Sequence, residues 1–339
     1  MRLFLRSITY LARAINGYEL VDPRGRDLPP FTAGAHVAVR YGGGPQPRAG
    51  APHAIEDRVG GPASPRGDPG QWRDYSLWND PAERRRYCIA VLCERERGGL
   101  SRHLHETLRV GDEIEVSPPR NDFPLAENAE RHLLLAGGIG ITPLYSMLAV
   151  LRRRRAQFAL HYCTRAPEDT AFREDLAILA AQGRVHFHHD GGDPARGLDV
   201  RALLREWRPG THLYCCGPRG LMTAAVAATA HWPAGTVHFE DFGGPVVDPP
   251  GDDVPFRIRL AQSGREYEVA AGETIVEVLR RHGVAVKTSC ELGYCGACLT
   301  PYRAGEPDHR DQFLDAEGRR RFVMICCARA RSPVLELDL

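Results

Sequence analysis

Thr288-Ser289-Cys290-Glu291-Leu292-Gly293-Tyr294-Cys295-Gly296-Ala297-Cys298, joined far downstream by Met324-Ile325-Cys326-Cys327, decides the reading of this chain. Three cysteines at C-x4-C-x2-C with one remote thiol suit the four thiolates that hold a 2Fe-2S cluster. A structural zinc site is the alternative, but zinc thiolates usually come as two close C-x2-4-C pairs. Gly293 and Gly296 fit the cluster. A chain wrapped around inorganic sulfide needs left-handed backbone and amides that point at sulfur.

Outward from that stretch, 339 residues are too many for one ordinary core and imply two or three domains. Acidic and basic residues cancel to a formal +1, which argues against a nucleic-acid or anionic-membrane surface. Lys287 is the only lysine, a compositional bias toward arginine. Ten cysteines raise the question of disulfides. Four are taken by the cluster motif, and Cys88, Cys93, Cys163, Cys215, Cys216 and Cys327 mostly sit in apolar, strand-like contexts. A reducing compartment follows. The first residues, Met1-Arg2-Leu3-Phe4-Leu5-Arg6, lack the apolar core of a signal peptide. The run Leu133 to Leu151 is broken by Gly137-Gly138-Ile139-Gly140 and Pro143, so it reads as strand, turn and helix start, not as a membrane span. A soluble, cytoplasmic protein is expected, and a monomer.

Residues 1–126 show short alternating runs, such as Tyr87-Cys88-Ile89-Ala90-Val91 and Glu113-Ile114-Glu115-Val116, between Gly and Pro turns, which predicts an antiparallel β domain. It holds Arg73-Asp74-Tyr75-Ser76 and, further on, Gly98-Gly99-Leu100-Ser101, a glycine turn running into a serine cap with free amides for an anion. Either motif alone has an ordinary structural explanation, an alternating strand or a capped helix. His103 and His105, without a third ligand nearby, are expected on a solvated helix face. The stretch from about Gly43 to Gln71, rich in Gly, Pro, Arg and Ala, reads as a mobile insertion.

Residues 127–243 change to alternating strands and helices, the pattern of a parallel sheet. His132-Leu133-Leu134-Leu135-Ala136 feeds Gly137-Gly138-Ile139-Gly140-Ile141-Thr142-Pro143, where Thr142 is placed to cap a helix and Pro143 to begin it. Leu213-Tyr214-Cys215-Cys216-Gly217-Pro218 is a second apolar strand that ends before a helix. Residues 244–253 form a Pro- and Gly-rich linker. From 254 to 339 the alternating Phe256 to Leu260 and Tyr267 to Val269, then helical spacing from Thr274 to Arg280, precede the cysteine loop.

Taken together, these motifs and their order resemble the ferredoxin-reductase superfamily, and in particular the phthalate dioxygenase reductase and vanillate demethylase reductase family. The likeness covers nearly every segment except the insertion. It implies three domains: an antiparallel β-barrel that binds FMN, an α/β parallel-sheet domain that binds NADH, and an α+β β-grasp ferredoxin domain of plant type. It also implies roles residue by residue. Arg73 would meet the flavin phosphate, Tyr75 would pack on the ring, Ser76 would approach N5, and Gly98, Gly99 and Ser101 would form the phosphate loop. Gly137, Gly138, Gly140, Thr142 and Pro143 would face the pyrophosphate, while Cys216, Gly217 and Pro218 would lie beside the nicotinamide and Phe242 would cover the flavin. Cys290, Cys295, Cys298 and Cys326 would hold iron, Cys326 being picked over Cys327 because Arg329 follows three residues later and because adjacent side chains in an extended segment point apart.

The implied function is electron transfer from NADH through FMN and the cluster to a separate terminal oxygenase, of Rieske or haem type. Three domains in one chain make physical sense for that task. Nicotinamide gives two electrons as hydride and a cluster accepts one, so a flavin must stand between them, and a linker keeps flavin and cluster at high effective concentration. A redox-sensing or interaction protein, and a stand-alone diaphorase with an idle cluster, are the competing readings; intact nucleotide loops in both upstream domains argue against the first. Arg165 after the strand Phe158 to Cys163 is a feature that would suit NADPH, against the family's NADH.

Overall fold

Alternation of apolar and polar residues puts one face of each strand into a core, and the run Phe256-Arg257-Ile258-Arg259-Leu260 shows it, its apolar members buried and its arginines exposed. The computed structural model describes residues 1–40, 72–93, 100–233, 235–242, 253–288, 293, 296–311, 313–314 and 316–339. The expected insertion, Gly98, Gly99, the linker up to residue 252, Cys290 and Cys295 lie outside the described residues.

In chain order the first elements are β1 (Arg2–Ala12), β2 (Ile15–Val21), β3 (His36–Arg40), β4 (Trp72–Ser76), β5 (Tyr87–Leu92), α1 (Leu100–Glu106) and β6 (Glu113–Val116). There follow β7 (Arg131–Gly137), α2 (Ile141–Arg153), β8 (Gln157–Thr164), α3 (Ala177–Ala181), β9 (Val185–His189), α4 (Val200–Leu203), β10 (Thr211–Cys216), α5 (Arg219–Ala228) and β11 (Val237–Glu240). The last part holds β12 (Phe256–Leu260), β13 (Glu266–Val269), α6 (Ile275–Arg281), β14 (Leu299–Ala304), β15 (Pro307–Asp308), β16 (Phe322–Met324), β17 (Arg329–Ala330) and β18 (Val334–Leu337). Two compact units result, Met1–Ala129 with Ile141–Gly197, and Glu130–Gly140 with Leu198–Leu339.

In the first unit six antiparallel strands run in the order β4-β3-β6-β1-β2-β5. The end strands meet through an antiparallel bridge between Leu77 and Ile89, with Trp78 N–H donating to Cys88 O at 3.0 Å. That bridge closes the sheet into a barrel and removes its open edges. Leu3, Leu5, Tyr18, Leu20, Val37, Val39, Leu77 and Ile89 fill it. The same unit carries the parallel pair β8 and β9, in register from Leu160↔Val185 to Thr164↔His189, and α2, whose Ile141, Leu144, Met147, Leu148 and Leu151 are buried.

The second unit begins with β10 held in parallel between β7 and β11, Cys216 lying opposite both Ala136 and Glu240. Its remainder is a mixed sheet, β13-β12-β18-β14-β16, with β18 parallel to β12 and antiparallel to β14. Helix α6 opens with a full capping box, Thr274 and Glu277 each satisfying the other's backbone amide. It buries Ile275, Val276, Val278 and Leu279. A mixed sheet gripping one helix is the β-grasp arrangement expected of this segment. Among the described residues no helix is long and apolar enough to cross a membrane.

The parallel strands carry histidines that pair across strands: His161 Nδ1 lies 3.1 Å from His188 Nε2, and His212 Nδ1 lies 2.9 Å from His238 Nε2. Two imidazoles so close share one proton and resist a second. Burial, aided by neighbouring histidines, pushes both His161 and His238 from about 6.5 down to about 4. The unfolded chain therefore takes up protons at higher pH than the folded one, so stability is complete above about pH 6.5 and is lost as pH falls toward about 4. Thermal unfolding midpoints measured across that interval should drop steadily, and the drop should be shallower in His161→Gln and His238→Gln; equal slopes in wild type and variants would refute it.

Candidate functional site

Strand β4 runs antiparallel to β3, which sets Arg73 opposite Val39, Tyr75 opposite Val37 and Ser76 opposite His36. Arg73 is exposed, Tyr75 is half-buried against the barrel core, and Ser76 is buried. An exposed guanidinium, an aromatic wall and a buried hydroxyl thus follow one another along one strand, the set a flat ring with a phosphate tail requires. Ser101 lies inside α1, which begins at Leu100, so it is in the first turn and not at the cap. The expectation of a solvated face fails for His105. Its Nε2 lies 2.8 Å from Val91 O, its Nδ1 lies 3.3 Å from Asn16 Nδ2, and its ring meets Tyr18 edge-on. The helix lies back on the barrel, tied there by His105 and by Leu104, which is buried in the barrel core.

The two glycine-bearing loops of the second unit emerge at the same edge, since β7 and β10 are parallel neighbours with Ala136 opposite Cys216. They touch backbone to backbone. A Cβ at Gly137 would lie 2.5 Å from Pro218 Cδ, one at Gly140 2.3 Å from Cys216 O, and one at Gly217 2.8 Å from Gly137 Cα. Gly138 adds a left-handed turn at φ 53°. Residues 138–140 form a 3-10 turn and α2 starts at Ile141, so Thr142 and Pro143 stand within its first turn and Thr142 is not the cap. Such a glycine turn at the head of a helix presents backbone N–H groups to an anion.

Cys216 ends β10 fully buried. Burial first, then the charges of Glu240, Cys215 and Asp241, push its thiol well above the ordinary value. It is held as a neutral S–H, suited to packing beside a ligand and not to nucleophilic attack. Phe242, just past the end of β11, is 43% exposed, which leaves an aromatic face free to cover or uncover a ligand.

At the cluster motif, Cys298 and Cys326 are buried together in the core of the second unit. Gly293 N–H donates to Cys326 Sγ at 3.2 Å. Gly293 and Gly296 stand at φ 78° and 75°. Two adjacent buried thiols, an amide aimed at sulfur and two left-handed glycines fit an iron-sulfur cluster. Cys326 and Cys327 occupy a turn and not an extended segment, because the amides of Cys327 and Ala328 both return to Met324 O, at 3.1 and 3.0 Å. Both thiols lie close to Gly293, Cys326 Sγ accepting its amide. Cys327 Sγ donates to Met324 O at 3.7 Å and sits where a side chain on Gly293 would have to go.

Three charged side chains here have partners that sequence reasoning did not find. Arg329 is 5% exposed and donates to the carbonyls of Glu273, Ala270 and Val254 at 2.7, 3.1 and 3.3 Å, with Asp253 at 3.4 Å and the Phe256 ring beneath it. Asp253, pulled below the ordinary carboxylate range by Arg310 and Arg329 against the cost of its own burial, anchors the chain as it enters this part of the fold. Asp311 accepts the amides of Phe313 and Leu314 at 3.2 and 2.7 Å and lies beside Gly293. The distance of Arg329 from Cys326 was the only available hint.

Comparison with known proteins gives this geometry a family. Residues 258–331 match the 2Fe-2S iron-sulfur cluster binding domain, and residues 134–227 match the oxidoreductase NAD-binding domain. The reductase subunit of tert-butanol monooxygenase / tert-amyl alcohol desaturase from Aquincola tertiaricarbonis is 44% identical, over 100% of this chain and 96% of its own. Phthalate dioxygenase reductase from Burkholderia cepacia is 42% identical over 100% and 97%. A solved structure of phthalate dioxygenase reductase, described as modular and as passing electrons from pyridine nucleotides to a 2Fe-2S centre, superimposes with a TM-score of 0.62 over 100% of this chain and 98% of its own.

The loop contact yields a paired test. Gly140→Ala forces a methyl against Cys216 O and should cost about 1–3 kcal/mol in denaturant unfolding and weaken NADH binding. Gly220→Ala, with open space around it in α5, should be neutral or stabilise by up to about 1 kcal/mol. Equal effects of the two substitutions would contradict the close approach.

Proposed function

Since the chain belongs to the phthalate dioxygenase reductase family of oxidoreductases, we propose that it takes hydride from NADH onto FMN and hands electrons singly, through a 2Fe-2S cluster, to a separate terminal oxygenase. The observation that carries this reading is the coexistence, in one chain, of the Gly137–Gly140 loop packed on Cys216-Gly217-Pro218 and of the Cys298, Cys326 and Gly293 arrangement. The first suits a dinucleotide and the second a one-electron centre. A sensor or structural protein would need neither together.

The residue roles are those the family resemblance implies, and the surroundings of the described residues support them. Arg73, exposed on β4, binds the flavin phosphate together with Gly98, Gly99 and Ser101. Tyr75 walls the ring, and the Ser76 hydroxyl donates toward N5. Gly137, Gly138 and Gly140, with Thr142 and Pro143 behind them, admit the pyrophosphate to the head of α2, and Gly217 and Pro218 shape the facing wall. The neutral thiol of Cys216 packs against the nicotinamide without competing as a base, and Phe242 vacates its place when nicotinamide enters. When bound, the flavin supplies conversion of a two-electron donor into single electrons. Cys290, Cys295, Cys298 and Cys326 hold the cluster, while the Gly293 amide, aimed at Cys326, offsets thiolate charge. The working divisions are 1–126 for flavin, 127–243 for nicotinamide, 244–253 as linker and 254–339 for the cluster. The chain acts as a cytoplasmic monomer, with NADH favoured over NADPH and a terminal oxygenase of Rieske or haem type as acceptor.

Paired cysteine variants test the electron exit. Cys326→Ser should lose or alter the rhombic signal of the reduced cluster and abolish efficient cytochrome c reduction, while NADH-driven ferricyanide reduction persists. Cys327→Ser should retain all three. Cytochrome c reduction at the wild-type rate in Cys326→Ser would mean that electrons leave from the flavin directly.

A further inference from the structure

Within the first unit an aromatic stack joins the flavin strand to helix α2. Trp78 follows Ser76 by two residues, and its ring lies 5.0 Å from that of Phe172 and 5.9 Å, edge-on, from that of Tyr145. Tyr145 and Phe172 are stacked at 4.2 Å. Trp78 Nε1 is buried with no hydrogen-bond partner among the described residues, so packing alone holds the ring. Phe172 is 4% exposed and takes φ 58°, a left-handed conformation that a bulky side chain avoids unless its surroundings impose it. At this position the surroundings are the rings of Trp78 and Tyr145.

Polar contacts run alongside. Ser146 Oγ, fully buried in α2, donates to Asn79 O at 3.0 Å, and Arg153 near the end of α2 grips both oxygens of Asp80 at 2.7 and 2.6 Å. The segment leading to Phe172 is itself tethered, because Arg13 in the β1–β2 turn donates its amide to Glu168 O at 2.8 Å and pairs with Glu168 and Asp169. Residues 78–80, α2 and the segment after β8 are therefore one packed body. Helix α2 starts at Ile141, directly after the glycine loop, and Trp78 is two residues from Ser76.

We propose that the Trp78, Tyr145 and Phe172 stack is a positioning device for hydride transfer, holding the Ser76 end of β4 and the head of α2 in fixed relation. The proposal rests on the reading of Ser76 as the residue at flavin N5 and of the glycine loop as the pyrophosphate site. In the step it serves, NADH is oxidised to NAD+ as its hydride, with both electrons, passes to the flavin, which is reduced. Such a transfer is steep in distance and angle, so a body that prevents drift between the two anchoring points acts on its rate and not on the affinity of either ligand. None of the three rings need touch a reacting atom.

The test compares Trp78→Leu, Phe172→Gly and Trp78→Phe in the full chain. Glycine adopts φ 58° without strain, so Phe172→Gly removes the ring and spares the backbone. Flavin reduction at saturating NADH, followed by stopped flow, should slow by about one to two orders of magnitude in Trp78→Leu and Phe172→Gly. FMN affinity and the KM for NADH should change far less, and Trp78→Phe should restore most of the rate. Independently of turnover, hydrogen exchange in flavin-free protein should quicken together in the peptides covering 77–80 and 141–153. Wild-type reduction rates in both ring-deleted variants would overturn the proposal. So would loss of FMN binding in both, since the stack would then hold the fold and not the geometry. If wild type itself bound no FMN or was not reduced by NADH, the reading of Ser76 would fail, a result distinct from either.

Discussion

A single added carbon at Gly140 would lie 2.3 Å from Cys216 O, and one at Gly293 would lie 2.6 Å from Cys327 Sγ. In both places backbone has to come closer to its neighbour than any side chain permits, and the rest of the second unit is arranged to let it. β7 and β10 run in parallel register so that their loops meet. The mixed sheet and α6 bury Cys298 and Cys326 so that Gly293 N–H points at sulfur. A phosphate and a sulfide cluster are both anionic and both bulky, and both are met most economically by amides without intervening Cβ atoms.

The family follows from that constraint and from the identity over the full length of the chain. Hydride chemistry and one-electron chemistry need different surroundings. The first wants a neutral, water-poor wall, a character that fits the Cys216 thiol, which burial keeps protonated. The second wants thiolates in a shell of amides. Keeping them on separate sheets lets each be built without compromise, and Asp253, clasped by Arg310 and Arg329, fixes the point at which the chain enters the cluster-bearing part.

How much of this was legible in the sequence depended on whether the signal was local. The cysteine spacing, the glycine loop and Cys216-Gly217-Pro218 are contiguous words whose chemistry requires those residues, and the alternating run at Phe256 to Leu260 reports its burial directly. Helix starts were read less well. Thr142 looked like a cap, but the 3-10 turn over 138–140 begins the helical path earlier. Cys326 and Cys327 were expected in extended chain, whereas they occupy a turn. Least legible were groups whose partners are remote: His105 meets Val91 and Asn16, Arg329 meets carbonyls more than fifty residues away, and Phe172, left-handed, packs on rings from two other segments. Nothing near any of them in the chain announces the contact, because burial and strain are properties of the fold.

The central claim is that one chain converts a two-electron donor into single electrons by way of flavin and cluster. An anaerobic titration of the purified protein with NADH, followed by absorbance and by electron paramagnetic resonance, tests it most directly. Uptake of about three electron equivalents per chain is predicted, two at the flavin and one at the cluster, with a rhombic reduced-cluster signal growing as the flavin bleaches. Uptake that stops at about two equivalents, with no paramagnetic cluster signal, would contradict the account.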